Sequence, residues 1–273
     1  GGSVSYHQLD VTDPQSIKRL VLFVRDNFGT CAALINNAAV ANNAADPLTA
    51  ISAQRLINTN CFGALHVTRG LMPLLEDTGR VVMVSSRSAA ISRFAQPLHT
   101  LLDSAASHEL ALEALMKKYI DELDAGRWRE GGWPSAGLSI PKPPFLDLPA
   151  DANGRIHVRA NSLGVYLTAG GHHTSYCVSK GGMNAVTRLL AVEALGLLGP
   201  GVCVNACCPG WVQTSMAGPL APSTVSRGAA TPVYLVSQEV QSTGNFFAES
   251  RWMPFSANLG LSQARLVPRQ IPW

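Results

Sequence analysis

The chain has 273 residues, of which 47% are apolar and 14% charged, with a formal net charge of +3. That length buries a large core in one domain, and that composition excludes a disordered chain. No basic run favours a nucleic acid and no unbroken apolar stretch reaches the ~18 residues of a membrane helix, so a small-molecule partner is expected. The cysteines (Cys31, Cys61, Cys177, Cys203, Cys207 and Cys208) fall mostly in apolar segments and form no paired Cys-x-x-Cys zinc pattern. Free thiols in a reducing, cytoplasmic setting follow.

Residues 4–10, VSYHQLD, read as a short strand ending on an acid. Thr12 or Asp13 caps the next segment, with Pro14 in its first turn. Ile17, Leu20, Val21, Phe23 and Val24 then give a helical stripe, closed by Gly29. Residues 32–35 form a buried-strand run that stops at Asn36-Asn37-Ala38-Ala39. A helix pattern runs from about residue 47 to 76, and residues 80–86, RVVMVSS, are a β-branched strand. Leu112, Leu115, Met116, Tyr119, Ile120 and Leu123 mark a helix over 107–125 that Gly126 ends. Residues 136–174 are rich in Pro, Gly and Ala, sustain no helix period and read as a disordered loop with polyproline character. A helix over 181–198, a strand over 202–208 (VCVNACC) and a last strand over 243–248 complete the chain. Strands alternating with helices predict an α/β fold: a Rossmann-like, doubly wound parallel sheet. In such sheets ligands bind beyond the carboxyl ends of the strands. Asp10, Asn36-Asn37, Ser85-Ser86 and Pro209-Gly210 are all expected there.

Tyr176 and Lys180 stand four residues apart, hence on one face of a helix, one turn apart. A neighbouring ammonium favours a phenolate, so such a phenol exchanges protons with a carbonyl or alcohol oxygen near neutral pH. Taken alone the pair reads equally as two surface residues on one helix.

The ordered set NNAA, TNCFG, VVMVSS, YCVSK and NACCPGWV resembles the short-chain dehydrogenase/reductase family. ACCPGW, TPVYL and GGWPS resemble its monomeric carbonyl reductases most. The resemblance spans about residues 4–135 and 174–250. It implies Tyr176 as general acid and Lys180 as the group that lowers the Tyr176 pKa and holds the nicotinamide ribose. It implies Ser86 as donor to the substrate oxygen and Asn60 as holder of a relay water. It places Asp10 and Val11 at the adenine and Asn36 and Ala38 along the cofactor. Pro209, Gly210, Val212 and Thr214 would cover the nicotinamide, and Trp211 and Met216 would line the substrate side. Each has a plainer reading: Ser86 as a strand end, Asn60 as a buried helix amide, Asp10 as a cap, Trp211 as packing. Cys207 and Cys208 read as inert core thiols, His172-His173 as a solvated loop, and no metal site is expected.

The sequence departs from the family in three places. The first two strands and the Thr-Gly-x-x-x-Gly-x-Gly turn, which cradles the pyrophosphate on a helix N-terminus, are not found before residue 4. Unpaired edges beside residues 4–10 and 32–35, and poor cofactor binding, are therefore expected. Between Ser86 and Tyr176 lie a helical insertion, about 99–126, and the loop insertion, about 136–174. The helical insertion is expected to cover the substrate pocket and block the usual dimer surface, favouring a monomer. Ala39 replaces a usual Gly, and Arg87-Ser88 follow Ser86 where apolar residues are common.

The resemblance thus implies NADPH-dependent reduction of aldehydes, ketones or quinones. The alternatives are NAD-dependent oxidation of a secondary alcohol in the same family, or a non-catalytic remnant that binds a partner.

Overall fold

In the computed structural model, residues 2–42, 47–134, 139–141, 155–157, 172–218, 221–237, 242–248 and 269–271 are described. Asp13 starts the first helix: its carboxylate accepts the Gln15 N–H at 2.9 Å. Helix α1 (Pro14–Phe28) ends at Gly29, whose φ of 79° turns its N–H back onto the Val24 and Arg25 carbonyls. Ile17, Leu20, Val21 and Val24 pack on Val67 and Leu71. The strand expected over residues 4–10 does not form. An extended segment becomes a strand only with a ladder partner, and none of the described residues pairs with it. Val4 is 98% exposed and His7 rests on the Phe23 ring at 4.8 Å.

Strand β1 (Cys31–Asn36) leads into α2 (Ala50–Ile57), whose Thr49 cap closes a capping box with Ser52. The helix pattern continues through a widened π turn (Asn58–Gly63), α3 (Ala64–Leu71) and a tight turn (Met72–Leu74). It stops at Leu74 rather than residue 76, because strand β2 (Leu75–Val84) already pairs at Leu75 with Cys31. Two helices then occupy the expected helical insertion, α4 (Gln96–Ala105) and α5 (Glu109–Asp124). On α5 the residues Leu112, Leu115, Met116, Tyr119 and Leu123 are buried, and Gly126 follows at φ 71°.

Part of the segment read as a loop is an antiparallel ribbon. Strand β3 (Ser139–Pro141) pairs with β4 (Arg155–His157), Ile140 opposite Ile156. Helix α6 (His172–Leu198) begins earlier than the sequence suggested, so His172-His173 lie in its first turn, not in a loop. The Gly181-Gly182 pair does not break it. A Cβ at Gly182 would stand 2.7 Å from Cys61 Sγ, and one at Gly181 2.9 Å from the Phe94 ring. These glycines serve close packing, a use that propensity alone does not reveal. Strand β5 (Cys203–Cys208), helix α7 (Val225–Val236) and strands β6 (Phe246–Ala248) and β7 (Arg269–Ile271) complete the described chain.

The sheet order is β1-β2-β5-β6-β7, parallel from β1 to β6, with β7 antiparallel. Val81, Met83, Val204 and Ala206 face the larger core with Ile57, Cys61, Met116 and Leu190. Val82, Cys207 and Phe247 face the other side, against Leu235 of α7. Helices on both faces explain why β5 is buried along its whole length. The outer edge of β1 has no partner among the described residues, and Ile35 is 41% exposed. No helix among the described residues is long and apolar enough to cross a membrane.

Candidate active site

The parallel register brings the carboxyl ends of three strands to one edge. Asn36 pairs in register with Met83, and Val84 with Cys207. The residues just beyond are therefore neighbours: Ala38 after β1, Ser85-Ser86 after β2, Pro209-Gly210 after β5.

The two serines divide their work. Ser85 is buried; its hydroxyl donates to Asn184 Oδ1 at 2.6 Å and its N–H to the Cys207 carbonyl at 2.7 Å. Ser86 is half-exposed, caps the turn at Arg87–Ala89 by accepting the Ser88 N–H at 3.1 Å, and hydrogen-bonds the Tyr176 phenol. Ser86, not Ser85, therefore faces the phenol.

Tyr176 keeps part of its surface open. Burial still pushes its phenol well above the ordinary value, the neighbouring Cys208 adds to this, and the Ser86 bond acts the other way. Lys180 is 1% exposed, and its Nζ donates to the Val84 carbonyl at 2.7 Å, lying 5.9 Å from the Tyr176 ring centroid. Burial brings its ammonium down to about 8, and the nearby Cys207, Cys208 and Cys61 thiols oppose the change. One of the three ammonium hydrogens is taken by the Val84 backbone carbonyl, and burial is the largest influence on the phenol.

Asn60 lies in the π turn, a geometry frequent at functional sites. Its Oδ1 accepts the Val40 N–H at 2.8 Å; its Nδ2 donates to the Val40 carbonyl at 2.9 Å and to Ser179 Oγ at 2.9 Å. Ser179 in turn donates to the Tyr176 carbonyl at 2.9 Å. Both Asn60 amide hydrogens are therefore taken within the protein, and the side chain fastens the loop after β1 to α6. Ser179 was not singled out from the sequence; like Ser175 one turn before it, it is a fully buried hydroxyl on α6.

Asn36 is buried and donates to Thr68 Oγ1 at 2.9 Å, so its side chain braces β1 against α3. Ala38 is exposed beyond the strand end. Asp10 closes a turn on the Thr12 N–H and hydroxyl, bonds that hold its carboxylate below the usual range. Val11 packs on Gly63, where a Cβ would meet it at 2.8 Å. Gly210 takes a φ of 85° that favours glycine. Val212 is buried against Gly228, so its side chain faces α7. Thr214 is exposed and its carbonyl accepts the Gly218 N–H at 2.9 Å. Trp211 donates its indole N–H to the Ala217 carbonyl at 3.2 Å and, with Met216, stays partly exposed. Among the described residues no trio of His, Cys, Asp or Glu is placed to hold a metal.

A parallel α/β sheet carrying a serine–tyrosine–lysine cluster beyond its strand ends defines a class of dinucleotide-dependent enzymes. The chain belongs to the short-chain dehydrogenase/reductase family and is an NAD(P)H-dependent oxidoreductase of that type. The family model described as short chain dehydrogenase matches residues 1–100, and one described as enoyl-(acyl carrier protein) reductase matches residues 150–242. Carbonyl reductase (NADPH) 1 of Homo sapiens is 33% identical over 257 residues, covering 92% of this chain and 79% of that protein. The Mus musculus protein of the same name is 33% identical over 239 residues, covering 86% and 73%. The fold matches salutaridine reductase from Papaver somniferum with a TM-score of 0.66, at 24% identity, over 88% of this chain and 80% of that one. It also matches menthone neomenthol reductase from Mentha piperita with a TM-score of 0.59, at 22% identity, over 89% and 78%.

Proposed function

We propose that the chain is an NADPH-dependent carbonyl reductase that converts aldehydes, ketones or quinones to alcohols. The observation that carries the reading is the Ser86–Tyr176 hydroxyl pair, held at the carboxyl edge of the sheet with Lys180 one turn away. The likeness to carbonyl reductase (NADPH) 1 of Homo sapiens and Mus musculus supports both the substrate class and NADPH.

The residues present fit the nicotinamide end of such a cofactor. A phenol and an ammonium share one helix face, Gly210 lets the backbone come close, and Asn60 fixes the loop that carries Ala38. Lys180 and Tyr176 would hold the ribose; Asn36, Ala38, Pro209, Gly210, Val212 through its backbone, and Thr214 would line the rest. Asp10 and Val11 would meet the adenine. Bound there, a nicotinamide supplies a hydride to the carbonyl carbon. Tyr176 donates its proton to the carbonyl oxygen, where negative charge grows. Ser86 donates a second hydrogen bond to the same oxygen, and two preorganised donors contribute several kcal/mol there. Tyr176 is protonated at neutral pH, as a proton donor must be. Lys180, largely charged at neutral pH, steadies the phenolate that remains. Trp211 and Met216 would form the wall facing the substrate.

The same reading makes the chain a cytoplasmic monomer. The six cysteines are unpaired, as a reducing compartment requires. Helix α5 packs against α2 and α6. NADPH consumption with aromatic aldehydes and quinones tests the reading, with NADH and a secondary alcohol plus NAD as comparisons. Turnover only in the alcohol direction with NAD would replace the substrate class and leave the family unchanged.

A further inference from the structure

The residue before the phenol is tied to the helical insertion. Tyr119 of α5 is fully buried, and its hydroxyl lies 2.7 Å from Ser175 Oγ, itself fully buried. Burial pushes the Tyr119 phenol far up, so it remains a neutral hydroxyl. The Trp133 ring meets Tyr119 edge-on at 5.0 Å, and the Trp133 indole N–H donates to Glu122 Oε2 at 2.6 Å. Glu122 also pairs with Lys118, one turn back on α5. One residue further up α6, Thr174 donates to the Pro134 carbonyl at 2.5 Å. Two consecutive residues, Thr174 and Ser175, are thus fastened to one buried neck immediately before Tyr176. Whatever path residues 135–171 take, the chain returns to the point it left.

Successive residues on a helix turn by about 100°. Ser175 therefore faces α5 while Tyr176 faces Ser86, and fixing one direction fixes the other. We infer that Tyr119 is a positioning residue for this enzyme: through Ser175 it sets the rotation of the first turn of α6 and aims the Tyr176 phenol at Ser86. This rests on the reading of Tyr176 as proton donor. Among the described residues, the Ser86 hydroxyl, the Lys180 ammonium, and the Cys177 and Cys208 thiols stand around that phenol.

Tyr119→Phe in the full chain tests it, because the ring and its contact with Trp133 remain. Turnover should fall about tenfold or more while the KM for NADPH stays within about twofold. In protein carrying carbon-13-labelled tyrosine rings, the Tyr176 signal, assigned with Tyr176→Phe, should titrate at lower pH in the variant as the phenol loses its fixed, dry seat. The double variant Tyr119→Phe/Ser175→Ala removes both hydroxyls and leaves no orphan. It should regain the parental melting temperature but not the parental rate. A Tyr119→Phe enzyme with the parental rate and an unmoved Tyr176 titration overturns the inference. So does a double variant that recovers both rate and stability, since packing alone would then suffice. If the parent reduces no carbonyl while the Tyr176 titration still moves, the positioning stands and the functional reading falls.

Discussion

Ser86 and Tyr176 share a hydrogen bond, so each depends on the other for its aim. Tyr176→Phe removes the proposed proton donor and should lower kcat by about two to four orders of magnitude without unfolding the chain. Ser86→Ala should lower it by about two to three orders of magnitude, the loss typical of one donor to a developing oxyanion. Steady-state kinetics on folded variants checks both. Lys180 offers a test that needs no substrate. Its ammonium stands at about 8 in the fold against an ordinary 10.5. Between those values the unfolded chain binds the proton and the folded chain does not, so stability rises with pH across that window. Below about pH 8 the buried charge opposes folding by up to about 3 kcal/mol, at ~1.4 kcal/mol per pH unit. Lys180→Met should therefore be more stable than the parent at pH 7, and the gap should close toward pH 10. Urea midpoints across that range decide it; a gap independent of pH contradicts the burial argument.

At the scale of elements, α5 is tied to its neighbours by one arginine. Arg69 of α3 donates two bonds to Glu193 of α6, at 2.6 and 3.1 Å, and one to Glu109 of α5 at 2.7 Å. The guanidinium is about one-third exposed, which limits the stabilisation. Arg69→Met should destabilise by about 1 kcal/mol, lowering the melting temperature by about 2–4 °C, and the difference should shrink in high salt. The α5 stripe was legible because 3.6-residue periodicity survives on a helix with one buried side, and Gly126 marks its end. The early start of α6 was not legible. The Pro- and Gly-rich stretch before it carries no period, and the bonds at Thr174 and Ser175 that hold its first turn come from residues distant in sequence. The end of the helical run at Leu74 was hidden for a similar reason: Leu75 becomes strand by pairing with Cys31.

The whole molecule shows which kind of signal travels from sequence to fold. Strand β5 was read within a residue and the carboxyl end of β2 within two, because burial on both faces demands β-branched and apolar runs; β2 itself begins five residues earlier, at Leu75. Residues 4–10 were read as a strand from composition, yet strandedness belongs to a pair and not to a segment. The antiparallel β7 gave no signal, since three residues carry no period. The site was legible as a set of residue types at strand ends, and Ser86, Tyr176 and Lys180 are brought together. The direction of each side chain was not legible: Asn60 is spent on Val40 and Ser179, Val212 turns to Gly228, and Lys180 turns to Val84. The central claim is tested most directly by NADPH consumption at saturating cofactor, with a quinone and an aromatic aldehyde, by the parent chain beside Tyr176→Phe. Turnover by the parent that Tyr176→Phe abolishes is the predicted result; equal rates from the two proteins, or none from a folded parent saturated with cofactor, would contradict the account.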